Sequence, residues 1–356
     1  MKGPRCRIRI MVVAAGSGGH ILPAAAFCQA LADRGLPPSD IVFVSSSSKG
    51  LEKLIGPAVT IRILPCRRTP GGMLLLVLRA ARLLWRDRPE ILLGFGGYLT
   101  VPFLLLGRIF GSKTMVHEQN VRPGKANKFL SFFVHRIIVS FGRSTAFFGK
   151  ENKKVFVARY PLRAALVPID RREALDYFGL REGYFTVLVI GGSQGAHRLN
   201  QVVTGALRLN KNAGRMQVIH LSGSQDAAFV EDAYKTLGVK SKVFAFLPQM
   251  HYAYSVADLV VGRSGAGGVQ ELMRFGLPSI LVPYPHAGHH QLDNAKVLAE
   301  KGAALILEEK LLTPELLSGL LDLFSDDMIR RKTMSVLARS LYDASEKATL
   351  VEAVFA

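Results

Sequence analysis

Two glycine-rich segments of similar design, about half the chain apart, constrain the fold most strongly. The first follows an apolar run and reads Gly16-Ser17-Gly18-Gly19-His20, and the second follows another and reads Gly191-Gly192-Ser193-Gln194-Gly195. A strand that ends in such a turn and leads into a helix presents free backbone N–H groups and a positive dipole end, which suit a phosphate. Two such turns in 356 residues predict two similar α/β domains with a ligand cleft between them.

Short apolar strands alternate with helical patterns in both halves, which indicates parallel sheets with crossover helices. The predicted strands are 8–13, 41–44, 91–93, 114–116, 137–139, 187–190, 217–221, 243–246, 259–261 and 279–282. The predicted helices are 24–32, 73–85 and 126–133, with others beginning near 196, 230, 268, 291 and 313. We predict domains at 1–160 and 161–330, a linker near 159–168, and a C-terminal helical segment, 331–356, that packs back on the first domain.

The composition indicates a globular protein that attracts anions. Hydrophobic residues make up 49% and charged residues 21%, and the net charge is +19. Nucleic acid, anionic lipid and diphosphate substrates would all suit that charge. Cys6, Cys28 and Cys66 lack metal-ligand spacing, which favours a reducing, cytosolic compartment. The apolar run after Lys2 is too short for a signal peptide, and we interpret it as the first strand.

A leucine-rich helix predicted over 73–88 is a candidate membrane-surface element. The uncharged stretch that follows, 91–107, contains glycines and Pro102 and is too short to span a bilayer. Interleaved leucines and arginines are typical of a helix that lies on anionic lipid. The residues assigned to membrane contact are Arg79, Arg82, Trp85 and Arg86. An ordinary amphipathic core helix is the alternative.

The first glycine-rich turn is not a dinucleotide fingerprint. The second predicted strand runs into Ser45–Ser48, so the acidic residue that binds the ribose of a dinucleotide is missing there. This disfavours NAD and leaves the turn as a site for a phosphate or a sugar hydroxyl.

Four polar residues, His117 to Asn120, follow a predicted strand. The carboxyl ends of strands in open α/β sheets face the ligand crevice. His20 or Glu118 can act as a general base on a hydroxyl group, because either can take a proton near neutral pH when its pKa is adjusted. The alternative for His117 and Glu118 is an orienting ion pair.

A third glycine-rich turn, Gly262 to Gly268, precedes Glu271. We place Glu271 on the first turn of the following helix, where its carboxylate can accept two hydrogen bonds from a ribose diol. The alternative is that Glu271 stabilises the helix dipole. Gln291 and Asn294 lie one helical turn apart, and their amides suit sugar hydroxyls.

In combination, these motifs resemble the MurG family, the UDP-N-acetylglucosamine transferases of bacterial peptidoglycan synthesis. The resemblance covers nearly the whole chain in order, through 16–23, 94–102, 117–127, 191–200, 263–271 and 290–295. It implies the GT-B fold, two Rossmann-like domains facing across a cleft. It also implies that the first domain binds the lipid acceptor and the membrane surface, and that the second domain binds the nucleotide sugar.

The resemblance also implies the site residues. The UDP-N-acetylglucosamine (UDP-GlcNAc) site would contain Ser17, Gly18, Gly19, Asn120, Arg163, Gly192, Ser193, Gln194, Leu247, Ala266, Gly267, Gly268, Val269, Glu271, Gln291 and Asn294. His117 and Asn127 would lie on the acceptor side. The chain departs from the family at Arg159-Tyr160, where Gly-Asn is usual, and at Gly268, where Thr is usual.

The implied reaction is an inverting transfer of N-acetylglucosamine to lipid I, with His20 or Glu118 as the base. The expected partners are UDP-GlcNAc, lipid I, an anionic membrane surface and a complex of cell-wall enzymes, at the cytoplasmic face of the inner membrane. Because the predicted cleft lacks an Asp-x-Asp clamp, we expect no cofactor and no tightly bound metal. One alternative is a GT-B enzyme that glycosylates diacylglycerol. The other, a basic nucleic-acid-binding protein, is disfavoured because the arginines interleave with leucines.

Overall fold

A computed structural model describes residues 9–15, 18–47, 51–55 (without the side chains of 52 and 53), 59–65, 69–149, 151–192, 195–286, 289–345 and 347–356. Two compact units divide the chain. Unit 1 comprises Met1–Ala164 and Ser345–Ala356, and unit 2 comprises Ala165–Ala344.

Unit 1 contains one seven-stranded parallel sheet. Its strands are β1 (Ile10–Ala14), β2 (Ile41–Ser45), β3 (Thr60–Ile63), β4 (Ile91–Gly94), β5 (Lys113–Glu118), β6 (Arg136–Val139) and β7 (Val155–Val157). They lie in the order β3-β2-β1-β4-β5-β6-β7. The helices among them are α1 (Gly18–Asp33), α2 (Leu51–Ile55), α3 (Pro70–Asp87), α4 (Thr100–Ile109) and α5 (Lys125–Leu130).

The sheet of unit 1 is buried on both faces, which is why its central strands are apolar without interruption. Successive side chains point to opposite faces, so Ile10 and Val12 join the core that contains Phe27 of α1. Met11 and Val13 join a second core with the buried residues of α3 and α4. Two apolar layers therefore cover the sheet and fix the carboxyl ends of its strands.

Unit 2 has the same strand order in a six-stranded parallel sheet. Its strands are β8 (Phe185–Ile190), β9 (Met216–Leu221), β10 (Lys240–Phe244), β11 (Leu259–Gly262), β12 (Ser279–Leu281) and β13 (Ala304–Ile306), in the order β10-β9-β8-β11-β12-β13. Its helices are α6 (Arg171–Phe178), α7 (His197–Leu209), α8 (Ala227–Thr236), α9 (Met250–Val256), α10 (Ala266–Phe275), α11 (His290–Ala299), α12 (Pro314–Asp326) and α13 (Met328–Asp343). Both units thus have the doubly wound Rossmann order.

The chain returns to unit 1 later than the sequence predicted. The predicted C-terminal segment began at 331, whereas α13 packs against α10 within unit 2. Met334 of α13 is buried in the core of unit 2, which accounts for this placement. The last helix, α14 (Leu350–Phe355), lies in unit 1, where Leu350 and Val354 join the core beside α1.

Each sheet has a topological switch point, where ligands bind in folds of this kind. In unit 1 it lies between β1 and β4, and in unit 2 between β8 and β11. The glycine-rich segments found in the sequence follow these strands at their carboxyl ends. The fold therefore places one candidate site at the carboxyl edge of each sheet.

Candidate active site

In unit 1, His20 and Asn127 meet at the turn after β4. A Cβ atom placed on Gly96 would lie 3.1 Å from His20 Nε2 and 3.3 Å from Asn127 Nδ2. Gly96 also has a φ of +94°, so this position favours glycine on both grounds. His20, Gly18 and Asn120 are half-buried and Gly19 is exposed, whereas Ser17 lies outside the described residues. The sequence-predicted His20 and Asn127 are therefore close together.

Glu118 ends β5 in a buried cage of N–H donors. Its Oε1 accepts hydrogen bonds from Asn120 N (2.9 Å) and Asn120 Nδ2 (3.2 Å). Its Oε2 accepts from Gly124 N (3.0 Å) and Asn127 Nδ2 (2.8 Å). Burial raises the pKa of the Glu118 carboxyl above its usual value, and the four hydrogen bonds oppose that rise. Glu118 thereby fixes the segment that carries Asn120 and Asn127.

His117 lies on the opposite face of β5 in a different environment. Its Nε2 is 2.9 Å from Ser140 Oγ, and its ring lies 4.9 Å from that of Phe95. Burial lowers the pKa of His117 to about 3, so the imidazole is neutral at physiological pH. The ion pair considered for His117 and Glu118 is wrong, because adjacent strand residues diverge and these two bind separate partners.

In unit 2, the turn after β8 is shaped by its glycines. Gly195 has a φ of +79°, and a Cβ atom there would lie 2.5 Å from the Ser222 carbonyl oxygen. Gly192 has a φ of +91°, and among the described residues, its chain neighbours apart, no atom lies within 4 Å of a Cβ atom placed on it. Ser193 and Gln194 lie outside the described residues. The turn leads directly into α7, so the backbone comes close to any ligand held there.

Helices that begin at the carboxyl edge of the second sheet lack side-chain caps. The residues at the N-caps of α7, α8, α9, α10 and α11 make no side-chain hydrogen bond to the helix that follows. The helices α6, α12 and α13 are capped instead by Asp170, Thr313 and Asp327. Uncapped N–H groups are suited to an anion, so this edge can receive a diphosphate.

Glu271 is held by a tyrosine of the neighbouring helix. Tyr254 Oη donates to Glu271 Oε2 at 2.6 Å. Because α10 begins at Ala266, Glu271 lies in the second turn of the helix, and the predicted first-turn position is wrong. The alternative role at the helix dipole loses its basis, since that effect falls off beyond the first turn. In that first turn, Ala266 and Val269 are buried, and Gly267 and Gly268 are half-buried.

Ser264 connects the turn after β11 with α11. Its hydroxyl donates to the Gln291 carbonyl oxygen at 2.8 Å, and its own carbonyl accepts from Asn294 Nδ2 at 3.2 Å. The Gln291 side-chain oxygen accepts from Tyr284 N at 3.0 Å. Gln291 is half-buried and Asn294 is fully buried. These bonds bring the two predicted sugar-binding segments together.

Leu247 and Arg163 complete the predicted donor-site residues. Leu247 follows β10 at the carboxyl edge of its sheet, and its side chain is buried. Arg163 is half-buried and belongs to unit 1, close to the boundary at Ala164. In the described part of the chain, no three His, Cys, Asp or Glu side chains gather as a metal site. The expectation of a metal-free reaction stays a prediction.

Comparison with known proteins identifies the family. Residues 10–139 match the glycosyltransferase family 28 N-terminal domain, and residues 186–348 match the C-terminal domain of that family. The chain is 32% identical to the UDP-N-acetylglucosamine--N-acetylmuramyl-(pentapeptide) pyrophosphoryl-undecaprenol N-acetylglucosamine transferase of Halothermothrix orenii, over 98% of both chains. It is 36% identical to the protein of the same name from Protochlamydia amoebophila, over 97% of this chain and 95% of the relative. The chain belongs to the MurG family.

A solved structure of a MurG family protein supports the fold assignment. MurG of Acinetobacter baumannii is 25% identical and superposes with a TM-score of 0.75, with 98% of both chains covered. The GT-B fold predicted from the sequence is confirmed. Anabaena HepE, solved in complex with UDP and glucose, has a TM-score of 0.68 at 14% identity and is similar in fold alone.

The candidate membrane helix of this MurG family chain, α3, has a buried face and an exposed apolar face. Leu76, Ala80, Leu83 and Leu84 are buried. Leu74, Leu78 and Trp85 are 62%, 58% and 63% exposed, which an ordinary core helix does not explain. Other exposed apolar side chains of unit 1 are Leu75 on α3, Ile109 and Phe110 at the end of α4, and Phe129, Phe132 and Phe133 in or just after α5.

The arginines of α3 are exposed beside these side chains. Arg86 pairs with its neighbour Asp87 at 2.6 Å, and Arg79 donates to the Pro65 carbonyl oxygen at 3.4 Å. Arg82 is exposed, and Arg88 lies 4.9 Å from the ring of Trp85. Among the described residues, no helix is both long and apolar enough to cross a bilayer.

Sequence reasoning missed four residues that organise the site: Gln119, Tyr254, Arg263 and Ser264. Arg263 donates to the Val282 carbonyl oxygen at 3.1 Å, pairs with Glu309, and lies 5.4 Å from the ring of Tyr284. Gln119, Arg263 and Ser264 stood inside the recognised motifs without an assigned role. For these three residues the only signal in the sequence was a polar side chain next to the end of a strand. Tyr254, on α9, carried no signal that could have identified it.

Proposed function

We propose that this MurG family chain transfers N-acetylglucosamine from UDP-GlcNAc to the 4-hydroxyl of MurNAc-pentapeptide on undecaprenyl diphosphate. The acceptor is lipid I and the product is lipid II, the β(1→4) disaccharide precursor of peptidoglycan. The enzyme is a hexosyltransferase (EC 2.4.1.227). The near full-length similarity to relatives named for this reaction carries the proposal.

Unit 2 binds the donor in this proposal. The uncapped N-terminus of α7 and the backbone at Gly192 bind the diphosphate, together with Ser193 and Gln194. Backbone groups near Leu247 flank the uracil, and Glu271 binds the ribose diol. The first turn of α10, with Gln291 and Asn294, lies against the sugar and phosphates. The space that the described residues leave at the Cβ position of Gly192 and the bond from Tyr254 to Glu271 support these roles.

His20 is the base that we propose for the acceptor hydroxyl. All hydrogen bonds of Glu118 given above come from N–H groups, and both of its oxygens are already engaged. Protonation of Glu118 would break part of that cage, whereas His20 is half-buried and directly follows the exposed Gly19. Glu118 is then a positioning residue that holds Asn120 and Asn127, and His117 supports the strand beneath them.

The reaction inverts the anomeric centre in one displacement. His20 takes the proton of the acceptor hydroxyl as its oxygen attacks the anomeric carbon, and the bond to the β-phosphate of UDP breaks. The N–H groups at the start of α7 stabilise the charge that develops on the diphosphate. Removing one such donor typically lowers turnover about 10²–10³-fold. A contribution from Arg163 to the same charge stays a prediction.

We also propose that unit 1 binds an anionic membrane surface through α3, as a peripheral protein on the cytoplasmic side of the inner membrane. Exposed leucines and Trp85 would enter the interface, and Arg79, Arg82 and Arg86 would contact lipid phosphates. This would bring the enzyme to its membrane-bound acceptor. Association with other cell-wall enzymes stays a prediction.

The first experiment is UDP release by the purified protein with UDP-GlcNAc and a short-chain lipid I analogue. We expect release that depends on the acceptor, with a reaction lacking acceptor as the control. A parallel reaction with diacylglycerol tests the alternative acceptor. Donor binding by calorimetry, with release on diacylglycerol alone, would overturn the proposed acceptor and keep the donor.

A further inference from the structure

Gln119, between Glu118 and Asn120, spans three elements of unit 1 with one side chain. Its Nε2 donates to the Gly19 carbonyl oxygen at 3.2 Å and to the Phe95 carbonyl oxygen at 3.0 Å. Both partners are carbonyl oxygens, so the amide nitrogen must face them. Gln119 follows β5, Phe95 follows β4, and Gly19 lies in the first turn of α1.

The two carbonyls belong to the residues that come just before His20 and just before Gly96, and the His20 imidazole contacts Gly96. Gly19 immediately precedes His20, and Phe95 immediately precedes Gly96, whose Cα faces the imidazole. The two N–H bonds of Gln119 therefore fix the backbone on both sides of that contact. A change in either bond would shift the His20 ring relative to Gly96 and Asn127.

The Gly19 carbonyl needs a donor from outside its own helix. In a regular α-helix it would accept from the N–H four residues later, which is Pro23, and proline has no N–H. The proline ring also crowds the carbonyl four residues before it. Gln119 supplies the donor that Pro23 lacks, so the first turn of α1 depends on the residue that follows β5.

Stability alone does not account for Gln119. The side chain is 2% exposed, and within the described part of the chain its Oε1 has no hydrogen-bond partner. A buried acceptor without a partner costs about 1–3 kcal/mol. A glutamine kept for packing alone would be better replaced by an apolar residue of the same size.

We infer that Gln119 is a positioning residue for His20, acting by fixing the Gly19 and Phe95 carbonyls on either side of its ring. The inference rests on the proposed role of His20 as the base. It also assigns a role to Pro23: because proline has no N–H, the Gly19 carbonyl accepts from Gln119 instead of from its own helix.

The test measures kcat and the KM for UDP-GlcNAc with the lipid I analogue. Gln119→Met keeps the approximate volume and removes both donors, and we expect kcat to fall about 10–100-fold. The KM for UDP-GlcNAc should stay within about twofold of the wild-type value, since uniform donor binding is untouched. The matched control is Gln217→Met, because Gln217 is equally buried and its Nε2 also donates twice, to the Arg181 carbonyl oxygen and Thr186 Oγ1. Gln217→Met should melt no higher than Gln119→Met, because Gln217 Oε1 also accepts from Arg181 N at 2.9 Å, and it should keep the wild-type kcat.

Two double variants separate positioning from general damage. Pro23→Ala restores the missing N–H, so Gln119→Met combined with Pro23→Ala should recover part of the lost kcat. In the His20→Ala background, Gln119→Met should lower kcat by less than about threefold, because the residue through which it acts is gone. Full additivity with His20→Ala, or no recovery with Pro23→Ala, would overturn the inference.

The proposed function and this inference fail in different ways. If His20→Ala keeps wild-type kcat, the base assignment is wrong and the inference falls with it. If His20→Ala loses turnover while Gln119→Met keeps it, only the inference is wrong. Should Gln119→Met not fold, Gln119→Asn takes its place. Its arm is one methylene shorter and cannot reach both carbonyls, so the same fall in kcat is expected, and wild-type kcat would overturn the inference.

Discussion

At the residue scale, Glu118, one of the two candidates for the base, already uses the lone pairs of both carboxylate oxygens as hydrogen-bond acceptors. Glu118 accepts four N–H bonds in a buried cage. A glutamine there would turn an NH₂ group toward two of those donors. We therefore expect Glu118→Gln to lower the free energy of unfolding by about 1–3 kcal/mol, with a loss of turnover that follows from the displaced Asn120 and Asn127.

His20→Ala should behave in the opposite way. Losing a general base lowers turnover about 10²–10⁴-fold, and a half-buried side chain at a glycine turn contributes little to stability. Thermal melts and UDP release on both variants give the comparison. A Glu118→Gln protein that melts like wild type, yet turns over no substrate, would instead make Glu118 the base.

The contact between Tyr254 and Glu271 predicts a graded effect on donor binding. Glu271→Ala should raise the KM for UDP-GlcNAc strongly, since the ribose loses its carboxylate. Tyr254→Phe should raise the same KM about three- to tenfold, because a hydrogen bond to a charged group that orients the carboxylate is lost. Steady-state kinetics over a range of donor concentrations measures both.

Tyr252→Phe is the control for this series. Tyr252 lies on the same helix, α9, and donates to Glu173 at the surface, at 3.1 Å. Its loss should leave the donor KM unchanged. An unchanged KM in folded Glu271→Ala would remove the ribose assignment altogether.

At the element scale, burial decides which helices and strands could be predicted from the sequence. Strands buried on both faces, such as β1 and β8, were predicted from their apolar runs. The short strand β3 was not predicted, because it is partly exposed and carries Arg62 in a four-residue run. Helix α4 was not predicted either. Pro102 interrupts the apolar stretch in the sequence, yet it lies in the first turn of α4, where no helical N–H is needed.

The same limit applies to the site. The residues of each glycine turn, and those of each polar strand end, are consecutive in the sequence, so these motifs could be found there. The bonds that organise them join residues far apart in the chain, such as Gln119 with Gly19 and Ser264 with Asn294. No local pattern encodes such a bond, so the sequence predicted which segments form the site and not which side chains hold them.

Helix α3 gives the prediction that belongs to this scale. Arg79→Glu, Arg82→Glu and Arg86→Glu together should abolish binding to anionic vesicles, because each cation near the surface contributes about 1 kcal/mol. Arg86→Glu alone should have the smallest effect of the three, since Asp87 already neutralises part of its charge. Co-sedimentation with vesicles of stated anionic content measures the binding.

The control places the same charge change elsewhere. Lys211, Lys235 and Lys301 are exposed residues of unit 2, and their replacement by Glu should leave most of the vesicle binding intact. Replacing Leu74 and Leu78 by Ser tests the apolar part and should weaken binding without altering net charge. Retained binding in the triple arginine variant would show that α3 is not the membrane element.

At the scale of the whole molecule, each unit carries a buried neutral histidine, His117 in unit 1 and His220 in unit 2. His220 lies between Tyr234 Oη at 2.7 Å and Asn200 Oδ1 at 3.0 Å. Burial lowers the pKa of both imidazoles from 6.5 to about 3. Below about pH 6.5 the two imidazoles therefore bind protons in the unfolded chain but not in the folded units. Their contribution to the free energy of unfolding is fully present above that pH and is lost as the pH falls toward 3.

Each histidine lowers the free energy of unfolding by about 1.4 kcal/mol per pH unit in this window, or about 2 kcal/mol between pH 6.5 and 5. Calorimetric melts at pH 7.5 and 5.0 should show the loss, resolved by unit where two transitions separate. His117→Gln and His220→Gln should melt lower than wild type at pH 7.5 and depend less on pH, because glutamine does not titrate. The exposed His286→Gln serves as the control and should keep the wild-type slope. A wild-type slope in both buried variants would mean that other groups cause the acid sensitivity.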